Sequence, residues 1–280
     1  MIRKTFVLGI VSVLFLFVFS ANGAEPTQNL PYYSDANSIS GDADYALERC
    51  KLDVYRPDSI SENAPVVVWF HGGGLSGGGK HVPAEFQNHK FLVVSVNYRL
   101  RPKAKSTEIL EDAAAAVAWT FENIAKFGGD PRKIFVSGHS AGGYLSAMLA
   151  LDPSWLAKFG KSNRDLAAAL PVSGQMTTHF NVVAESQGRA AGGANNPLQI
   201  TEMAPLFHTT KIVPPLYLLV GDANFEWPGR VEENYLLAAM LKTVKNHEVI
   251  EIHSYEGTNH GTVAKPACEF VAKFVVSVCE

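Results

Sequence analysis

Short apolar runs, closed by turn residues and separated by helix-forming segments, set the pattern of this chain. Pro65-Val66-Val67-Val68-Trp69-Phe70 and Phe91-Leu92-Val93-Val94-Ser95-Val96 are nearly continuous β-branched and aromatic runs, as in strands covered on both faces. Leu52-Asp53-Val54-Tyr55 alternates instead, as a half-buried strand does. Further strands are predicted over 133–137, 167–172, 215–220 and 247–255. Residues 106–127 predict a helix, rich in Ala, Leu and Glu without Gly or Pro, and Gly128-Gly129-Asp130-Pro131 stops it. Helices are also predicted over 141–151, 230–243 and 266–278. Residues 30–44 read as a polar, turn-rich connection.

Strands that alternate with helices predict an α/β fold, a mostly parallel central sheet with helices on both faces. Residues 175–213 break the rhythm with Gly188, Gly192, Gly193 and Pro197, and are expected to form a small cap inserted over the strand ends. No internal repeat, charge block or linker divides the chain.

The first residues follow another logic. Arg3 and Lys4 precede an apolar run over 6–19, and Ser20, Ala21, Gly23 and Ala24 follow. This is the layout of a secretory signal peptide, with cleavage after Gly23 or Ala24. An uncleaved anchor is the competing reading, but the run is short of the roughly 20 apolar residues of a membrane span. Residues 1–24 are therefore expected to be a signal peptide and 25–280 a single domain, secreted or periplasmic, with no stable membrane partner after signal removal. Cys50, Cys268 and Cys279 lack the paired spacing of a zinc site. Export would permit a bridge between Cys50 and one of the other two, and buried free thiols are the alternative. A formal net charge of −3 gives no reason to expect nucleic acid as a partner.

Gly138-His139-Ser140-Ala141-Gly142-Gly143 carries the first chemical signal. It fits G-x-S-x-G between a predicted strand and a predicted helix, where a sharp turn lifts the serine out and the helix N-terminus points its N–H groups at the reacting centre. His71-Gly72-Gly73-Gly74 follows the strand over 65–70, and bare backbone there can offer N–H donors to a carbonyl oxygen that gains charge. Gly73, Gly74 and the Ala141 N–H are the candidate oxyanion hole, although a flexible surface loop would share this composition. His260, in the loop after the strand over 247–255, is the candidate general base. The acid is expected after the strand over 215–220, where Asp222 and Glu226 are both available.

Taken together, these segments resemble the α/β-hydrolase superfamily. More narrowly, they look like bacterial esterases of the hormone-sensitive-lipase type and the related esterase/lipase group often linked to acetylated or feruloylated polysaccharides. The likeness also draws on Val96-Asn97-Tyr98-Arg99 and Phe127-Gly128-Gly129-Asp130-Pro131 and spans almost the whole of 25–280. The resemblance implies a serine esterase with the chain order Ser, acid, His, no metal or organic cofactor, and a small-molecule or polysaccharide-linked ester as substrate. Two departures stand out. Asn224 occupies the place where the family usually carries its acid, and Leu75 stands where an aromatic residue often follows the triple glycine. Asn224 leaves room for a fold kept for binding without turnover, and an amidase or peptidase could use the same residues.

Overall fold

β-Branched residues in the strands and alanine-rich helices packed on them account for the observed layers. The computed structural model describes residues 26–279 apart from 36–38, 59, 88, 194–196, 244–246 and 248. The expected signal peptide lies outside the described residues. Eight strands form one sheet in the order β1-β2-β4-β3-β5-β6-β7-β8: β1 (Thr27–Pro31), β2 (Lys51–Tyr55), β3 (Ala64–Phe70), β4 (Leu92–Val96), β5 (Gly129–His139), β6 (Ala168–Val172), β7 (Leu216–Val220) and β8 (Ile250–Ser254). β2 runs antiparallel to both neighbours, and every pair from β4 to β8 is parallel. The mostly parallel sheet with helices on both faces is the architecture expected.

Strand periodicity divides the core in two. Val66, Val68 and Phe70 of β3 enter one apolar cluster, whereas Val67 and Trp69 enter the other, because successive side chains leave a strand on opposite faces. The first cluster is covered by α1 (Ala43–Arg49), α2 (Ser106–Asn123), α3 (Ala141–Leu151) and α6 (Arg230–Thr243). The second is covered by α7 (Ala264–Ser277). α3 is buried along its whole length, which explains its lack of a polar face.

Several expectations shift at element ends. The segment over 30–44 hides the end of β1 and the start of α1. β1 is an edge strand with no apolar alternation, and α1 is announced by Asp42, whose side chain accepts the Tyr45 N–H. The long helix ends at Asn123 and tightens into a 3-10 turn (Ile124–Phe127), closed by Gly128 at φ +86°. β5 begins four residues early, at Gly129, and β8 is confined to five residues. A short helix, α4 (Pro153–Ala157), follows α3. Over 175–213 the chain forms α5 (Phe180–Ser186) and a 3-10 turn (Pro205–His208), with no strand among the described residues. All three cysteines are unbridged, and Cys50 and Cys268 are buried.

After β3 the chain moves to one side to build β4, then returns across β3 to build β5. Parallel strands whose order reverses leave a crevice at their C-terminal ends. The β3 and β5 loops face each other there. A buried ion pair fixes the wall behind them. Arg99, just past β4, holds Asp112 of α2 with two side-chain bonds (2.9 and 2.8 Å), and Asp112 also accepts the Arg99 N–H (2.9 Å) and the Tyr33 hydroxyl (2.7 Å). Both charged side chains are fully buried. Asp112→Ala would leave the buried guanidinium with only the Glu108 carboxylate at 3.9 Å as counter-charge and is expected to cost about 3 kcal/mol in urea unfolding. Lys161→Ala, at a partly exposed pair with Glu122, should cost under about 1 kcal/mol.

Candidate active site

Ser140 is the hinge between β5 and α3. Its backbone sits at φ +58°, ψ −114°, outside the regions an ordinary residue adopts. The turn is possible because of what surrounds it. A Cβ on Gly142 would lie on the Phe70 carbonyl oxygen and within 2.9 Å of that of His71. Ser140 N–H donates to the Val172 carbonyl at the end of β6 (2.8 Å), and Tyr144 N–H returns to the Ser140 carbonyl (2.9 Å). Ala141 is the first residue of α3, so its N–H has no acceptor within the helix.

The loop after β3 comes up beside it. A Cβ at Gly72 would sit 3.5 Å from the Ser140 Cβ. The Gly73 carbonyl accepts the N–H groups of Ser76 (3.1 Å) and Gly77 (3.0 Å). A trans peptide sets N–H opposite C=O, so the Gly74 N–H points away from that turn. Likewise His71 Nδ1 donates to the Gly72 carbonyl (2.6 Å), which turns the Gly73 N–H the other way. The Gly74 carbonyl is held by the Asn181 amide of α5. His71 itself stacks on Tyr98 with centroids 4.2 Å apart, and burial pushes its pKa down to about 4.

His260 Nε2 stands 2.8 Å from Ser140 Oγ, and His260 Nδ1 stands 2.8 Å from Glu226 Oε1. A carboxylate only accepts, so Nδ1 carries the proton and Nε2 is left to accept from the serine hydroxyl. Of the two candidate acids, only Glu226 is brought to the ring. Asp222 turns away and accepts the N–H groups of Asn224 (2.9 Å) and Gly257 (2.8 Å), which hold its pKa below the usual value. Asn224 is exposed and also bonds Asp222 through its side chain. One helical turn separates Asp222 from Glu226, whose N–H donates to the Asp222 carbonyl (2.8 Å). That turn carries Glu226 inward.

Burial alone would raise the Glu226 pKa. Bonds from His260, from the Ser173 hydroxyl (2.6 Å) and from the Trp227 N–H (2.9 Å) outweigh it and bring the group to about 2. Sequence reasoning missed Ser173, which follows β6 as the other site residues follow their strands. It also missed three neighbours of the imidazole and the glycine loop. Trp227 stacks on His260 with centroids 3.9 Å apart and planes 18° apart. His139 Nε2 donates to the His260 carbonyl (2.7 Å), and burial lowers its pKa to about 4, so it is neutral at pH 7. Phe180 lies against Gly74 and meets Trp227 edge to face at 6.0 Å.

Residues 52–226 match the family model described as BD-FAE. Carboxylesterase NlhH of Mycobacterium tuberculosis is 46% identical over 102 residues, covering 35% of this chain and 32% of its own length. Para-nitrobenzyl esterase of Bacillus subtilis is 37% identical over 135 residues, covering 42% and 27%. The match therefore spans about a third of the length of these curated relatives. Among solved structures, a hyperthermophilic esterase from Pyrobaculum calidifontis aligns with TM-score 0.65 and 26% identity, over 82% of this chain and 80% of that one. Thermogutta terrifontis esterase 2 phosphoramylated by tabun aligns with TM-score 0.67 and 22% identity, over 90% and 94%.

The depressed Glu226 pKa has a consequence for stability. Its folded value, about 2, lies below the ordinary 4.5. The ionised group therefore stabilises the fold fully above about pH 4.5, and that contribution is lost as pH falls toward 2. Urea unfolding of wild type and Glu226→Gln, compared from pH 5 to pH 3, should show the wild type losing stability more steeply. Parallel curves would contradict the assignment of the depressed pKa.

Proposed function

The chain belongs to the BD-FAE family and has the fold of α/β-hydrolase esterases, and from that premise we propose that it is a serine hydrolase cleaving carboxylic esters. One observation carries the reading: an unbroken path from Ser140 Oγ through both nitrogens of His260 to Glu226, with 2.8 Å at each step. His260 takes the Ser140 proton as the oxygen attacks the ester carbonyl. Glu226 stabilises the imidazolium that forms. The N–H groups of Gly73, Gly74 and Ala141 receive the negative charge on the carbonyl oxygen, each worth about 3 kcal/mol in such sites. The alcohol leaves with the proton from His260, and water then cleaves the acyl-enzyme by the same route in reverse.

His139 and Trp227 serve this chemistry from the side. The first pins the backbone of His260, and the face of the second favours a positive ring. Glu226 does the work that Asn224 cannot, which supports turnover over a fold kept for binding alone. For the substrate we favour a short acyl group, acetyl, on carbohydrate, over the bulkier feruloyl group. Phe180 against Gly74 supports a small acyl space, and the leader-like N-terminus supports export to where such polymers lie.

Ser140→Ala should lower turnover of p-nitrophenyl acetate by at least about a thousandfold and abolish labelling by a fluorophosphonate probe. Near-full rate in that variant would contradict the proposal. Glu226→Gln should lower kcat by about a thousandfold or more, whereas Asp222→Asn should stay within about threefold of wild type; the reverse order would move the acid to Asp222. Comparing kcat/KM across acetyl, feruloyl and octanoyl esters tests the acyl assignment, with the acetyl ester expected to be best; a feruloyl ester turned over as well as acetyl would contradict the small acyl space.

A further inference from the structure

Resting on that reading of Ser140, His260 and Glu226, we propose that Ser173 is a positioning residue of the same relay, its hydroxyl locking the Glu226 carboxylate in the orientation that serves His260. Ser173 follows β6, between the strands whose loops carry Ser140 and Glu226. It is fully buried. Its Oγ lies 2.6 Å from Glu226 Oε2 and 3.0 Å from His260 Nδ1. The single hydroxyl proton goes to the carboxylate, which can only accept. The oxygen of Ser173 then presents a lone pair to the Nδ1–H, which it shares with Glu226 Oε1.

The consequence is mechanical. Glu226 Oε1 is held by His260 and by the Trp227 N–H, and Oε2 by Ser173. With both oxygens fixed, the carboxylate cannot swing about its last torsion. Without the hydroxyl, Oε2 loses its donor and that restraint goes.

The backbone provides a separate observation. Ser173 sits at φ +44°, where glycine is the easy choice and other residues are rare. Its neighbours enforce the position. Ser173 N–H donates to the Leu219 carbonyl (2.7 Å), and its own carbonyl accepts from Arg230. Arg230 is in turn paired with Glu233 at 2.9 Å, and Glu233 accepts the Thr177 N–H (2.9 Å) and hydroxyl (2.6 Å). A buried chain of charges thus clamps this one peptide. A serine kept where glycine would sit without strain points to a need for the side chain.

Glycine is also the informative substitution, because it suits the backbone and removes only the hydroxymethyl group. With p-nitrophenyl acetate, Ser173→Gly should lower kcat about tenfold, in keeping with loss of one hydrogen bond to a charged group, and leave KM unchanged. A residue needed only for folding would regain full kcat as glycine. Ser173→Ala keeps the backbone bonds and should lose the same factor, and it decides the matter if the glycine variant unfolds. Because Ser173 acts through Glu226, either change made on top of Glu226→Gln should cost less than about twofold in the acylation burst. Wild-type kcat in both single variants, or the same tenfold loss in the Glu226→Gln background, would overturn the role. Ser140→Ala run alongside separates the two levels: activity there removes the relay itself, whereas an inactive Ser140→Ala beside a fully active Ser173→Gly removes only the positioning role.

Discussion

The contact between Gly142 and the end of β3 is the constraint on which the site depends. Backbone touches backbone there, with the carbonyl oxygens of Phe70 and His71 occupying the space a side chain would need. That approach brings the glycine loop alongside Ser140 and holds the serine in a backbone conformation it would not choose alone. The strain is local, and it is held by tertiary structure. Ser140 is bonded to the end of β6 on one side and starts a fully buried helix on the other. A nucleophile placed this way needs no movement to meet a base, because the loop after β8, three strands away, brings His260 to the same C-terminal end of the sheet.

Charge is handled by the same economy of position. Glu226 is buried, and three donors more than offset the penalty of keeping it ionised. His71 and His139 are pushed toward neutrality by burial, which suits histidines used as hydrogen-bonding supports. Arg230 and Glu233 lie deeper, both buried, and tie the end of β6 to the first turn of α6 and to Thr177 at the start of the long insertion. The insertion is thus anchored to the chain of residues behind the imidazole as well as to the glycine loop through Asn181.

Legibility in the sequence followed the strength of local pattern. The central strands, the elbow and the glycine loop were readable because each is a run of neighbours with a required chemistry. Ser140 and His260 were placed from their positions at strand ends. β1 was missed since an edge strand with little to bury shows no alternation. The choice between Asp222 and Glu226 stayed open because both lie in one short loop after β7. A single helical turn, set by the Glu226 N–H bond to the Asp222 carbonyl, sends one side chain inward and leaves the other bonded to backbone. Ser173 and Trp227 had no motif to mark them, and only contacts across 87 and 33 residues of chain reveal their part.

By itself the amino-acid order determined the alternation of strands and helices, the turn at Ser140 and the bare backbone after β3. These are properties of adjacent residues, set by side-chain size, branching and allowed backbone angles. Tertiary structure decided which carboxylate faces His260, which residues brace it, and what covers the glycine loop. Those outcomes turn on distances of a few ångströms between segments far apart in the chain. No local rule carries that information, because it exists only once the strands have taken their order in the sheet.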